Sequence, residues 1–119
     1  MPFLLTTPDG FAAGIMALDE LSPEVMKKLA RDCLRVEQGK RMPISSEEYL
    51  EKMAASGIYF ENAEKLQSML NCLSCIYRAA VRCQPSMKEV GKRIRKLCPE
   101  ASDELLQALA GLWEKEGGP

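Results

Sequence analysis

The sequence predicts an all-α protein, a compact orthogonal bundle of about six helices. Apolar residues recur at helical spacing in one segment after another. Capping and stop residues punctuate these segments at short intervals. No stretch alternates apolar and polar residues for long enough to form a strand. Composition agrees, because aromatics are only 6% while Leu, Ala, Met, Glu, Lys and Arg abound, a mix that favours helices over sheets. One domain is expected, with opening helices over 1–44 and a helical core over 45–116.

Thr7-Pro8-Asp9 has the order of a cap followed by a first-turn proline, and predicts a short helix through about Leu18. Ser22-Pro23-Glu24 repeats the pattern ahead of a longer helix, with Met26, Leu29, Ala30, Cys33 and Leu34 on one face and Gly39 as the stop. Ser45 and Glu48 have capping-box spacing before Tyr49, Leu50 and Met53, and Gly57 ends that segment, with Ile58 placed to fold back on its last turn. The longest helix runs from about Glu61 to Arg82 on a stripe of Leu66, Met69, Leu70, Leu73, Tyr77, Ala80 and Val81, and Pro85 breaks it. Ser86 and Glu89 again have capping-box spacing, ahead of Met87, Val90, Ile94 and Leu97. Beyond Pro99, Leu105, Leu106, Leu109, Leu112 and Trp113 line a sixth helix.

The formal net charge is −1 and histidine is absent. The near-neutral balance gives no global field to recruit nucleic acid or membrane. Without histidine, Ser-His and Cys-His nucleophiles are excluded and the commonest general base is missing. No enzyme activity, cofactor or metal is expected. The apolar N-terminal stretch lacks a basic leader region and is split by Pro8-Asp9-Gly10. No window approaches the ~18 uncharged residues of a membrane span. Five cysteines, an odd number without a signal sequence, are expected to be reduced thiols in the cytoplasm.

Cys72-Leu73-Ser74-Cys75 has the C-x-x-C spacing of zinc and thiol-redox sites. A zinc site needs four ligands, and a redox pair works best at a helix N-terminus, where the dipole lowers a thiol pKa. Here the pair falls mid-helix and the other cysteines are isolated. On the wheel Cys75 lies opposite the apolar stripe, beside Asn71, Arg78 and Arg82, while Cys72 flanks it with Met69, Ile76 and Cys83. Cysteine as a small hydrophobe is the plainer account, and a small thiol- or metal-binding protein using Cys72 and Cys75 is the less favoured one. Copper held by thiolates with Met69 finds no support in the spacing.

From Arg78 to Lys96 there are seven basic residues against Glu89 alone, a local charge of +6 in a chain otherwise at −7. Lys88, Lys92, Arg93, Arg95 and Lys96 are the candidate partner-binding residues, four of them opposite the fifth helix's apolar stripe. They fit an acidic protein surface, a phosphoinositide head group or RNA, or else an ordinary solvated face. Interleaved aromatics are missing, so nucleic acid is disfavoured. The acids Glu100, Asp103, Glu104, Glu114 and Glu116 are placed to neutralise the patch internally. Met16, Met26, Met53, Met69 and Met87 read as core fillers rather than a Met-rich groove. Trp113 reads as the anchor of the last helix, or as cover for an interface. Glu47, Glu48 and Glu51, like Asp103 and Glu104, read as first-turn acids meeting a helix dipole rather than acid-base pairs.

From Ser45 to Glu116 the order of features resembles the N-terminal helical domain of the COMM-domain-containing family. The stretches that carry the resemblance are SEEYLEKMAASG, NAEKLQSMLNCLSCIYRAAVRC, SMKEVGKRIRKLC and SDELLQALAGLWEKE, with LSPEVMKKLARDCLRVEQG fitting the family's opening helices. The likeness is one of helical pattern. The tryptophan-arginine motif of the family's C-terminal domain is absent, since Trp113 is followed by Glu114-Lys115. Dimerisation, assigned to that domain, is not carried over, and a monomer is expected. The resemblance implies a non-enzymatic adaptor that assembles with COMM-family relatives and coiled-coil partners in the Commander complex at endosomes. It also implies links to ubiquitin-dependent and nuclear factor kappa-B signalling. A death-domain-like helical adaptor is the second reading.

Overall fold

The computed structural model describes residues 3–4, 6–43 and 45–117. Six α-helices follow one another: α1 (Phe11–Asp19), α2 (Pro23–Glu37), α3 (Ser46–Ala55), α4 (Ala63–Cys83), α5 (Met87–Leu97) and α6 (Asp103–Leu112), the last running into a π-helical turn, Trp113–Gly117. No strand occurs among the described residues. The chain is an all-α bundle with a Cα radius of gyration of 13.3 Å, and no helix in it is long and apolar enough to cross a membrane.

Side chains that accept from the N3 backbone N–H start five of the six helices. Ser22, Ser45, Asn62, Ser86 and Ser102 accept from Val25, Glu48, Lys65, Glu89 and Leu105. At Ser86 the box is reciprocal, because the Glu89 carboxylate accepts from the Ser86 N–H at 3.3 Å. Ser45 has only its own arm of the box. The α3 stop is as expected: Gly57 takes φ +82° and the Ile58 N–H donates to the Met53 carbonyl at 2.8 Å, turning Ile58 against the core.

The first helix differs from expectation. Pro8 is not its first residue; Pro8-Asp9-Gly10 is a turn closed by the Phe11 N–H on the Pro8 carbonyl at 3.2 Å. Gly10, at φ +82°, reverses the backbone there, so α1 begins only at Phe11.

Helix α4 is the hub and packs against α1, α2 and α3, while α5 pairs with α6 and α6 rests on α2. Leu66, Leu73, Ile76, Tyr77 and Ala80 of α4 are completely buried. The Tyr77 hydroxyl donates to the Leu109 carbonyl at 3.0 Å and thereby joins α4 to α6. Val81, expected in the stripe, is only half-buried. Helix α1 lies so close to α4 that a Cβ on Gly14 would stand 3.0 Å from Cys72 Cβ and 3.1 Å from the Ser68 carbonyl. Met26, Met53 and Met69 fill the core and Met16 packs at its edge. Met87 departs from the core reading and stays 38% exposed.

Trp113 is buried, and its indole N–H donates to the Pro85 carbonyl. It anchors the chain's last turn onto the α4–α5 connection. In the π-helical turn Gly117 lies against the Trp113 ring, where a Cβ would come within 1.9 Å of it. Glu116 reaches α2 from this turn, pairing with Arg31 at 3.1 Å, and its carbonyl accepts from Gln38 at 2.8 Å.

Candidate functional site

The C-x-x-C stretch divides as the helical wheel predicts. Cys72 is 2% exposed and its thiol points at the Phe11 carbonyl, 3.7 Å away. Burial pushes that thiol well above the usual range. Cys75 is half-exposed; burial raises its pKa too, and Arg78 opposes the rise. Cys33 is pushed up to about 12, chiefly by burial. These environments stabilise the neutral thiol, the opposite of what a nucleophile or thiolate ligand needs. No disulfide links any of the five cysteines. Among the described residues no three His, Cys, Asp or Glu side chains converge as metal ligands would.

The acids also find structural settings. Glu47 and Glu48 occupy the first turn of α3, and Asp103 and Glu104 that of α6. Glu51 sits a turn further along α3 and is exposed. Asp32 is the one buried carboxylate among the described residues, and periodicity alone gave no sign of it. It accepts from the Tyr49 hydroxyl and pairs with Arg41 at 2.7 Å and Lys28 at 3.7 Å. This cluster clips the α2–α3 connection onto both helices.

The basic run separates into two classes. Arg78 pairs with Glu37 of α2 at 2.9 Å. The Arg93 Nε donates to the Leu4 carbonyl at 3.1 Å. Arg95 donates to the carbonyls of Pro99, at 2.8 Å, and Ala101, and pairs with Asp103. Arg93 and Arg95, both expected on the partner face, are thus half-buried and engaged within the fold. Lys88, Lys92 and Lys96 are exposed one turn apart along α5 and make no ion pair among the described residues. Asp103 answers Arg95 and Glu116 answers α2, while Glu100, Glu104 and Glu114 remain exposed. The C-terminal acids therefore leave the three lysines unneutralised.

Beside this row lies a groove of about 490 Å³ between α5 and α6. Its apolar lining is Met87, Gly91, Leu106 and Ala110, with Lys88 and Lys92 along one rim and the Arg95–Asp103 pair at one end. A larger hollow of about 640 Å³ lies between Leu4, Thr6 and Pro8 and the outer face of α4, where Cys75, Arg78 and Arg82 line it. Its Arg78 already faces Glu37, and of its two half-exposed thiols, Cys75 and Cys83, burial raises the pKa of Cys75. The lysine row and the adjoining groove combine exposed charges that make no ion pair among the described residues with an exposed apolar side chain, Met87. No protein-family model, no curated protein and no solved structure matches the chain.

Proposed function

We propose that this chain is a non-enzymatic adaptor domain that docks partner proteins through the outer face of α5. The observation that carries the reading is the row of Lys88, Lys92 and Lys96, exposed and unneutralised beside an exposed Met87. Charged rims of this kind steer association and select partners of opposite charge. Buried thiols of raised pKa, and a buried Asp32 held by Tyr49, Arg41 and Lys28, support a binding role over catalysis.

The lengths of α3 to α6, with 10, 21, 11 and 10 residues, follow the short–long–short–final order of the COMM-family N-terminal helical domain. The buried Trp113 at the end of α6 supports the same likeness. On this reading the partners are COMM-family relatives and coiled-coil proteins of a Commander-type endosomal assembly, and the isolated chain is a monomer. Amine-reactive cross-linking with mass spectrometry in cell extract tests it. Partner cross-links are expected at Lys88, Lys92 and Lys96, and partner recovery should fall in a Lys88→Glu/Lys92→Glu/Lys96→Glu variant of unchanged circular dichroism. Undiminished recovery of every partner by that variant contradicts the reading.

A further inference from the structure

We infer that the α5–α6 groove receives an acidic amphipathic helix of the partner protein, apolar side chains over Gly91 and carboxylates along the lysine row. The inference rests on the adaptor reading and names the chemistry of what the surface holds.

Charge complementarity fixes the sign of the occupant. Lys88 and Lys92 stand on the α5 rim, and the pair Arg95–Asp103 at the end of the groove is internally neutral. The α6 wall contributes the uncharged Gln107. The net field over the groove is therefore positive, while Lys96, one turn further on, lines a neighbouring hollow with Phe3, Glu89 and Arg93.

The apolar lining calls for more than a polyanion. Met87 is 38% exposed over a floor of the buried Leu106 and Ala110, and a phosphate backbone would leave that methionine uncovered. No aromatic side chain lines the groove for a base to stack on. Met87 is the one exposed apolar side chain of the lining, too little to anchor the chain in a bilayer.

Dimensions favour a helix. Residues 87 to 95 span about 12 Å at 1.5 Å per residue, close to two helical turns. Lysines one turn apart on α5 face carboxylates one turn apart on a partner helix, the side-chain register of helix-in-groove recognition. Gly91 adds a separate indication. It sits inside α5 without a positive φ, and a Cβ there would meet nothing within 4 Å. A helix-interior glycine is unfavourable for the fold, yet here no packing or backbone geometry of the fold requires it. An open backbone at the groove lets another helix approach closely.

A phage library of helix-favouring peptides of about 15 residues, panned on the full 119-residue chain, tests this. The expected winners carry a row of Glu or Asp one turn apart and apolar residues on the adjoining face. The best synthetic winner should lose about tenfold or more in affinity to Lys88→Glu/Lys92→Glu, equivalent to about 1.4 kcal/mol. Gly91→Leu should cost as much, with the melting temperature of both variants near that of the parent. Gln107→Trp, on the opposite wall, serves the same purpose should Gly91→Leu fail to fold. Winners without an acidic bias, or affinities that none of these variants moves, overturn the inference. So does a panning that enriches nothing while phosphatidylserine vesicles or single-stranded RNA bind in a lysine-dependent way. Such a failure leaves the adaptor reading standing if partner cross-links still fall on Lys88, Lys92 and Lys96, and their loss removes both.

Discussion

The Trp113 indole N–H donates to the Pro85 carbonyl at 2.8 Å, fastening the end of α6 to the turn that starts α5. Both groups are buried, so the bond stands where water cannot replace it. Trp113→Phe keeps most of the ring but leaves the carbonyl unsatisfied, and should destabilise the fold by about 1–3 kcal/mol. Urea unfolding followed by circular dichroism measures this. An unchanged midpoint would mean the indole bond contributes nothing.

Two glycines should respond in opposite directions. Gly14→Ala drives a Cβ to 3.0 Å from Cys72 Cβ and 3.1 Å from backbone of α4, so α1 must shift, at a cost of about 1–3 kcal/mol. Gly91→Ala meets open space at a helical φ and should stabilise by about 0.5–1 kcal/mol. Thermal unfolding of the two variants checks the pair. A destabilising Gly91→Ala would show that the glycine serves the fold itself.

Asp32 holds Tyr49, Arg41 and Lys28 from a buried position. Asp32→Ala leaves the phenol and the guanidinium without their shared acceptor, and should cost about 3 kcal/mol. Tyr49→Phe, which keeps the ion pairs, should cost less. Equal losses would place the energy in the hydroxyl rather than in the carboxylate.

Alkaline pH should unfold the protein partly through its thiols. Cys33 titrates near 9.0 when exposed and at about 12 in the fold. Below pH ~9 both states hold the proton and this contribution to stability is fully present. Between the two values the unfolded chain has lost the proton and the fold retains it, so stability falls with rising pH, by up to about 1.4 kcal/mol per unit. Tyr49 and Tyr77, also raised by burial, act in the same direction at higher pH. Urea midpoints at successive pH values should drop above pH ~9, and less steeply in Cys33→Ala. In the folded protein at neutral pH, a thiol reagent should modify Cys75 well before Cys33 or Cys72.

Local chemistry made much of this fold legible. Serine caps with N3 partners placed the starts of α2, α3 and α5 closely, and glycine stops the ends of α2 and α3, because those signals act within one turn. Thr7-Pro8-Asp9 imitates a cap and sets the expected start of α1 too early, while the deciding residue, Gly10, acts through a backbone reversal. The π-helical turn depends on Gly117 over the Trp113 ring and on Glu116 reaching Arg31 across 85 residues of sequence, which no local pattern encodes. The same distance effect divided the basic run. Lys88, Lys92 and Arg95 share a face of α5, but only the fold brings Asp103 and two carbonyls to Arg95. Reversing Arg95 would therefore damage the α5–α6 connection, and the lysines are the informative positions.

Lysine footprinting of the chain in native, uncross-linked complex with the partners that cross-linking identifies tests the central claim most directly. Acetylation should be suppressed at Lys88, Lys92 and Lys96 on complex formation, while the exposed Lys27, Lys40 and Lys115 stay as reactive as in the isolated chain. Full labelling of the α5 lysines together with protection of Lys27, Lys40 or Lys115 would contradict the claim and place the partner on another face.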